Sequence, residues 1–264
     1  MKNRLKHIAI FKYMAVLRRT LGINPPFWRR LPLFLSFLND FGRYQSLGRN
    51  SDFIADRSDL YPRLFDRTTE TKIDPVYFLQ GTWCARKIFE SKPSRHYDIG
   101  SQALMVGIVS QFVPTTMVDI RPLSISLPGL SFVKGDLTSL PFKEDSIDSL
   151  SSICVIEHVG LGRYGDRLDQ FGTEKAAAEL ARVLAPGGNL YISVPVDCKN
   201  KVYFNAHRAL TRDYVLKIFR RLNLKEEKYV YGNELTANYD PAKSFGTGFY
   251  HFVKRTTVDR HSKR

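Results

Sequence analysis

The chain has 264 residues, 43% hydrophobic and 25% charged, which suits one sizeable folded α/β domain plus an extension. Its net charge of +14 is segregated: residues 1–50 hold ten Lys/Arg against Asp40, residues 251–264 hold five against Asp259, and the rest is nearly balanced. Three separated cysteines (Cys84, Cys154, Cys198) make no Cys-x-x-Cys pair, which argues against a disulfide framework or a cysteine zinc site and fits a reducing compartment.

Leu5, Ile8, Phe11, Met14 and Leu17 recur at three-residue spacing among basic residues, predicting a helix with one apolar face. Lys6, His7 and Lys12 interrupt this stretch, so it does not read as a secretory signal. Neither it nor Leu31–Leu38 approaches the roughly 20 apolar residues of a spanning helix. A cytoplasmic protein is expected, with peripheral contact to an anionic membrane through the basic N-terminus. Pro25-Pro26 ends the first helix, a second amphipathic stretch covers Phe27–Asn39, and residues 41–75 read as a polar, irregular connection. The expected division is a basic helical extension over 1–75 and a domain over 76–264.

Asp74-Pro75 marks a helix start, and the helix runs to just before Pro93. Strands and helices then alternate: strand Arg95–Ile99, helix Ser101–Gln111, strands Thr115–Ile120, Ser131–Lys134 and Ser149–Val155, helix Thr173–Leu184, strand Asn189–Val194 and helix Thr211–Leu222. Lys225–Tyr231 and Gly248–Lys254 are strands with no helix between them, which predicts an antiparallel hairpin. The fold class is α/β: a Rossmann-like, doubly wound, mostly parallel sheet with a modified edge.

Four segments carry the chemistry. Asp98-Ile99-Gly100-Ser101 lies at the first strand–helix turn, where glycine admits a ligand and the helix N-terminus favours an anion. Asp119, followed by Ile120, ends the second strand 21 residues after Asp98, about the separation at which a carboxylate accepts ribose hydroxyls. Asp136, with Leu137 and Leu140-Pro141-Phe142 behind it, suits an adenine beside apolar side chains; Phe142 is equally a core residue. Leu184-Ala185-Pro186-Gly187-Gly188 precedes the fifth strand.

In this order the segments resemble class I S-adenosylmethionine-dependent methyltransferases over about residues 76–254. The resemblance implies a seven-stranded sheet with an antiparallel last strand and S-adenosyl-L-methionine as cofactor. It implies Asp98, Gly100 and Ser101 near the methionine portion, Asp119 and Ile120 at the ribose, and Asp136 and Leu137 near the adenine. The chain departs from the family at the first motif, which reads Gly100-Ser101-Gln102-Ala103 instead of three alternating glycines. Glu157–Asp166 and Phe204–Arg208 are similar to a methyltransferase-like family of unassigned function, several of whose bacterial members accompany surface-polysaccharide genes.

These two runs follow strands four and five, on the ligand-binding rim, and are where an acceptor is expected. Gly160, Gly162, Gly165 and Gly172 make the first loop permissive, and Arg163, Tyr164 and Asp166 supply charge and hydrogen bonds. His158, His207 and Asp166 are the candidates for a base, and Arg163, Tyr164, Asn205 and Arg208 for substrate binding. His158 is either that base or a wall of the cofactor pocket. His207 with Arg208 either binds a carboxylate or phosphate or caps the helix near Thr211. Glu157 points either into the sheet or at substrate.

The expected function is methyl transfer to a small-molecule or glycan acceptor, direct and in-line, with no metal. The alternatives are a non-catalytic scaffold at a membrane-associated glycan assembly site and an RNA methyltransferase using the basic ends as clamps. Nucleic acid is the less favoured partner, because no RNA-binding module is recognisable.

Overall fold

The computed structural model describes residues 27–47, 53 and 55–256. The helix expected over Leu5–Leu17 lies outside them. The chain divides into two compact units, Met1–Lys72 and Ile73–Arg264.

In the first unit, helix α1 (Phe27–Ser46) outruns its expected end by seven residues. Its polar last turns read as a loop in sequence, but they are the solvated end of a helix. Beyond it Asp56 caps a short turn, Arg57–Asp59, by accepting from the Ser58 amide at 2.8 Å.

The second unit begins with helix α2 (Pro75–Ser91), capped as the Asp-Pro pair predicts: Asp74 accepts from the amides of Val76 and Tyr77. Strands β1 (His96–Ile99), β2 (Thr115–Asp119), β3 (Leu130–Lys134), β4 (Ile147–Ile153) and β5 (Leu184–Val196) follow. Helix α3 (Ala103–Val109) lies between β1 and β2, and α4 (Gly172–Val183) precedes β5. A ribbon of β6 (Lys201–Tyr203) and β7 (His207–Ala209) stands apart from the main sheet. Then come α5 (Arg212–Ile218), β8 (Leu222–Tyr231), β9 (Glu234–Thr236) and β10 (Gly246–Lys254).

The main sheet runs β3-β2-β1-β4-β5-β10-β8-β9. β1 to β5 pair in parallel, and β10 is antiparallel to both β5 and β8. This is the expected seven-strand arrangement with an eighth, three-residue strand on the far edge. Leu184–Gly188 is not a turn before the fifth strand. It is that strand's kinked first part, where Gly187 takes φ +79° and the pairing with β4 shifts register.

Core side chains cover both faces of the sheet. Trp83 and Ile88 of α2 and Val106 of α3 pack with Met117, Tyr191 and Phe249 on one face. Leu180 of α4 and Val215 of α5 pack with Ile192, Tyr250 and Phe252 on the other. Burying such a side chain contributes about 1.5–3 kcal/mol, so the site sits on a stiff base. The strand order reverses between β1 and β4, and that reversal opens a crevice beyond their C-terminal ends.

Candidate functional site

The loops leaving β1, β2, β3 and β4 line an open cleft. Val118, Ile120, Leu137, Val155 and Val159 make it apolar, and Gly100, Asp119 and Asp136 edge it. Gly100 takes φ +71°, and a Cβ there would lie 2.9 Å from Val155 Cγ1, so turn and packing both require glycine.

The three acidic strand ends differ in what their oxygens are free to do. Asp119 is nearly buried and takes the Arg121 amide at 2.8 Å, with the Arg121 guanidinium nitrogens at 3.3 and 3.4 Å. Asp136 is exposed, and its Oδ1 accepts from the Thr138 amide and hydroxyl, both at 2.8 Å. Asp98 departs from the expectation of a methionine contact. It is buried and accepts from the Ser101 amide at 3.0 Å, the Ser101 hydroxyl at 2.6 Å and the Ser151 hydroxyl. Burial pushes its carboxyl up to about 6 against those bonds. Asp98 therefore ties β1 to β4 and its own turn. Ser101 is partly committed too, its hydroxyl also accepting from the Ile153 amide at 2.9 Å, while it lines a second hollow beside Gly100 and Tyr77. Phe142 packs edge-on against Tyr97 at 5.2 Å, as part of the core.

His158 lines both hollows. Its Nδ1 lies 2.6 Å from the Ala206 carbonyl. A carbonyl can only accept, so Nδ1 carries the hydrogen and Nε2 keeps the lone pair. Burial lowers the imidazole to about 4, so the ring is neutral at ordinary pH. Glu157 points into the protein: it is buried, its Oε1 lies 3.6 Å from His158 Nε2, and its Oε2 has no partner. Burial raises its carboxyl to about 8. The result is a neutral imidazole beside a neutral acid at the end of β4.

Asp166 is not free to act as a base. Its oxygens accept from the amides of Gly160 at 2.7 Å, Gly162 at 3.3 Å and Tyr164 at 3.2 Å. Desolvation would raise its carboxyl, but these three donors outweigh it and hold it below the usual range. It shapes the loop.

Arg208 is likewise structural. Its guanidinium is buried and donates to Val159 O at 2.6 Å, Thr173 Oγ1 at 3.2 Å and Asp169 O at 3.0 Å. Thr211 itself, not His207, caps α5, through the Tyr214 amide. Asn205 takes φ +62° at the exposed tip of the β6–β7 ribbon, a turn conformation asparagine tolerates.

Arg163 and Tyr164 do meet His158. Arg163 Nη1 donates to Ala206 O at 3.0 Å, and the Tyr164 ring stands edge-on to the imidazole at 5.5 Å. His207 lies 6.5 Å from His158, between Tyr203 and Phe245.

Arg121, Tyr77 and Cys154 were not anticipated as site residues. Cys154 takes φ +52° at the end of β4 and lines both hollows, its thiol 3.1 Å from Gln80 Oε1. The basic residue two places after Asp119 was a readable signal for Arg121, Cys154 reaches the site from the end of β4, and Tyr77 reaches it only through the packing of α2 on β4.

A family described as a Caenorhabditis protein of unknown function, DUF268, matches residues 138–219, which span β4 to α5 and both acceptor-side loops. No curated protein matches the chain. Among solved structures, it is similar to the [4+2]-cyclase SpnF (TM-score 0.52, 13% identity, 67% of this chain and 80% of that one). It is similar to the N-methyltransferase NodS from Bradyrhizobium japonicum WM9 in complex with S-adenosyl-L-homocysteine (TM-score 0.51, 16% identity, 69% and 89%). It is also similar to a putative sarcosine dimethylglycine methyltransferase from Galdieria sulphuraria (TM-score 0.51, 14% identity, 70% and 92%). At these identities the likeness is one of fold: the chain has the class I S-adenosylmethionine-dependent methyltransferase fold.

Proposed function

We propose that this chain binds S-adenosylmethionine in the cleft and methylates a small-molecule or glycan acceptor that enters over His158. One observation carries the reading: His158 borders both the apolar slot edged by Asp119 and Asp136 and the open hollow beside Gly100 and Tyr77. The residues present fit the cofactor. Asp119 offers carboxylate oxygens to a ribose diol, Asp136 offers an acceptor to an adenine amino group, and the slot between them is apolar. Bound there, S-adenosylmethionine supplies an electrophilic methyl group. His158 Nε2, its ring fixed through Nδ1 on Ala206, would take the proton of an acceptor hydroxyl. Tyr77 and Tyr164 line that hollow.

Calorimetric titration with S-adenosylmethionine and S-adenosylhomocysteine tests this. Micromolar binding that Asp119→Ala weakens tenfold or more is expected. No binding to folded protein sinks the reading. The runner-up, a non-methylating relative, is kept by the altered glycine motif and by the cyclase named among the fold's members. It predicts well-folded protein that transfers no methyl group to any nucleotide sugar or glycan, and absent S-adenosylhomocysteine binding would favour it. An RNA acceptor instead predicts retention on RNA that falls steeply with salt.

The proposal includes peripheral attachment to a membrane. No described helix is long and apolar enough to cross one. α1, however, exposes Trp28, Leu31, Leu35 and Leu38 beside Arg29 and Arg30, in the region with ten basic residues against one acidic. Near an anionic leaflet each basic residue contributes about 1 kcal/mol, which with an apolar helix face supports reversible docking. A glycan acceptor assembled at that surface, as in polysaccharide biosynthesis, follows as the context to screen first.

A further inference from the structure

Arg121 lines the cleft, and Arg163 stacks on Tyr164, which lines it as well. Arg121 reaches Asp119 only at 3.3 and 3.4 Å, long against the roughly 2.7–2.9 Å of a charge-assisted bond, and its side chain is 57% exposed. Arg163 leaves the opposite loop, donates to Ala206 O, and pairs with no carboxylate among the described residues. Both guanidinium groups lie against one ring, 4.5 and 5.0 Å from the Tyr164 centroid. Beside this group His207 Nε2 is buried without a partner.

A ribose diol at Asp119 competes for the oxygens that hold Arg121. The displaced guanidinium keeps its stacking on Tyr164 but loses its counter-charge. Two cations gathered at one ring, one newly unpaired and the other without a carboxylate partner among the described residues, then attract an anion to that side of the cleft. We propose that Arg121 and Arg163 form a clamp for a phosphate or carboxylate carried by the methyl acceptor, completed when the cofactor's ribose takes Asp119 from Arg121. This rests on the S-adenosylmethionine reading above and names its substrate class: a sugar or small molecule bearing an oxyanion. The aromatic faces of Tyr203 and Phe245, 5.0 and 5.5 Å from His207, offer its uncharged part a surface. Cofactor and acceptor are then linked, each tightening the other by the same factor.

The test is titration of S-adenosylhomocysteine into wild type, Arg121→Gln and Arg163→Gln at constant ionic strength, with no addition, inorganic pyrophosphate or glucuronate. In wild type, pyrophosphate or glucuronate should tighten S-adenosylhomocysteine threefold or more. Tightening by pyrophosphate alone assigns a phosphorylated acceptor, and by glucuronate alone a carboxylated one. Arg163→Gln should abolish the effect. Arg121→Gln should abolish it as well, and should bind S-adenosylhomocysteine alone more tightly because Asp119 has lost its competitor. Binding that neither anion changes, or tightening that survives both substitutions, overturns the clamp and leaves the cofactor reading standing. Absence of S-adenosylhomocysteine binding in all three folded proteins overturns both.

Discussion

Glu157 and His158 are chain neighbours whose burial removes charge from each. The Glu157 carboxyl is raised to about 8 by desolvation, which its hydrogen bonds and the nearby Arg163 charge only partly offset. Between its ordinary 4.5 and about 8 the folded protein holds a proton that the unfolded chain has released. Stability therefore falls as pH rises through that window, by at most roughly 1.4 kcal/mol per unit. Glu157→Gln removes this slope, so calorimetry should find its Tm above wild type at pH 8 and close to it near pH 4. His158 acts at the acid flank. Its pKa is depressed to about 4, so stability falls as pH drops from 6.5 toward 4. Nitrogen NMR should find Nδ1 protonated and Nε2 bare at pH 6.5, with titration near 4. A ring that titrates at the ordinary value would remove His158 from the buried site. Nothing in the sequence around these two residues distinguishes the acid that turns inward from the histidine that lines the cleft.

At the scale of elements, the loop from Val159 to Phe171 is held by groups that looked functional in sequence. Asp166 gathers three of its amides, and Arg208, from the β6–β7 ribbon, gathers its carbonyls. Gly160 takes φ +82° with a virtual Cβ 2.1 Å from Asp169 O, so the loop folds tightly on itself. Arg208→Met leaves the Val159 carbonyl unpaired and Asp169 O with the Gly172 amide alone, at a cost of about 1–3 kcal/mol. Trypsin should then cut after Arg163 or Arg167 several-fold faster than in wild type, and an unchanged rate would show that the brace is dispensable. The charges of this loop were legible from sequence. Their direction was not, because residue type does not reveal whether an arginine faces a ligand or its own backbone. The β6–β7 ribbon went unread for a related reason: three-residue strands carry too little alternation to stand out.

Across the whole molecule, charge and fold are separated along the chain. Residues 51–250 hold 25 basic and 24 acidic residues, whereas the two ends are strongly basic. The unit Ile73–Arg264 contains the full sheet and both core clusters. Expressed alone, it should unfold in one cooperative transition and bind S-adenosylhomocysteine as the full chain does. It should lose flotation with vesicles of phosphatidylcholine and phosphatidylglycerol, which the full chain should keep. Full-length protein that ignores those vesicles would end the membrane reading.

The order of strands, the glycine at the first turn and the acids ending β2 and β3 were set by the sequence itself, because each rests on local physics: hydrophobic period, turn conformation and distance along the chain. Asp74-Pro75 is the plainest case, a cap readable from two residues. What Asp98, Asp166, Arg208 and Glu157 do was decided only by tertiary structure. Each is a polar residue whose partners lie on another element or are exposed backbone groups of a folded loop. Whether such a group is spent within the protein or left for a ligand depends on what the fold brings within about 3 Å of it.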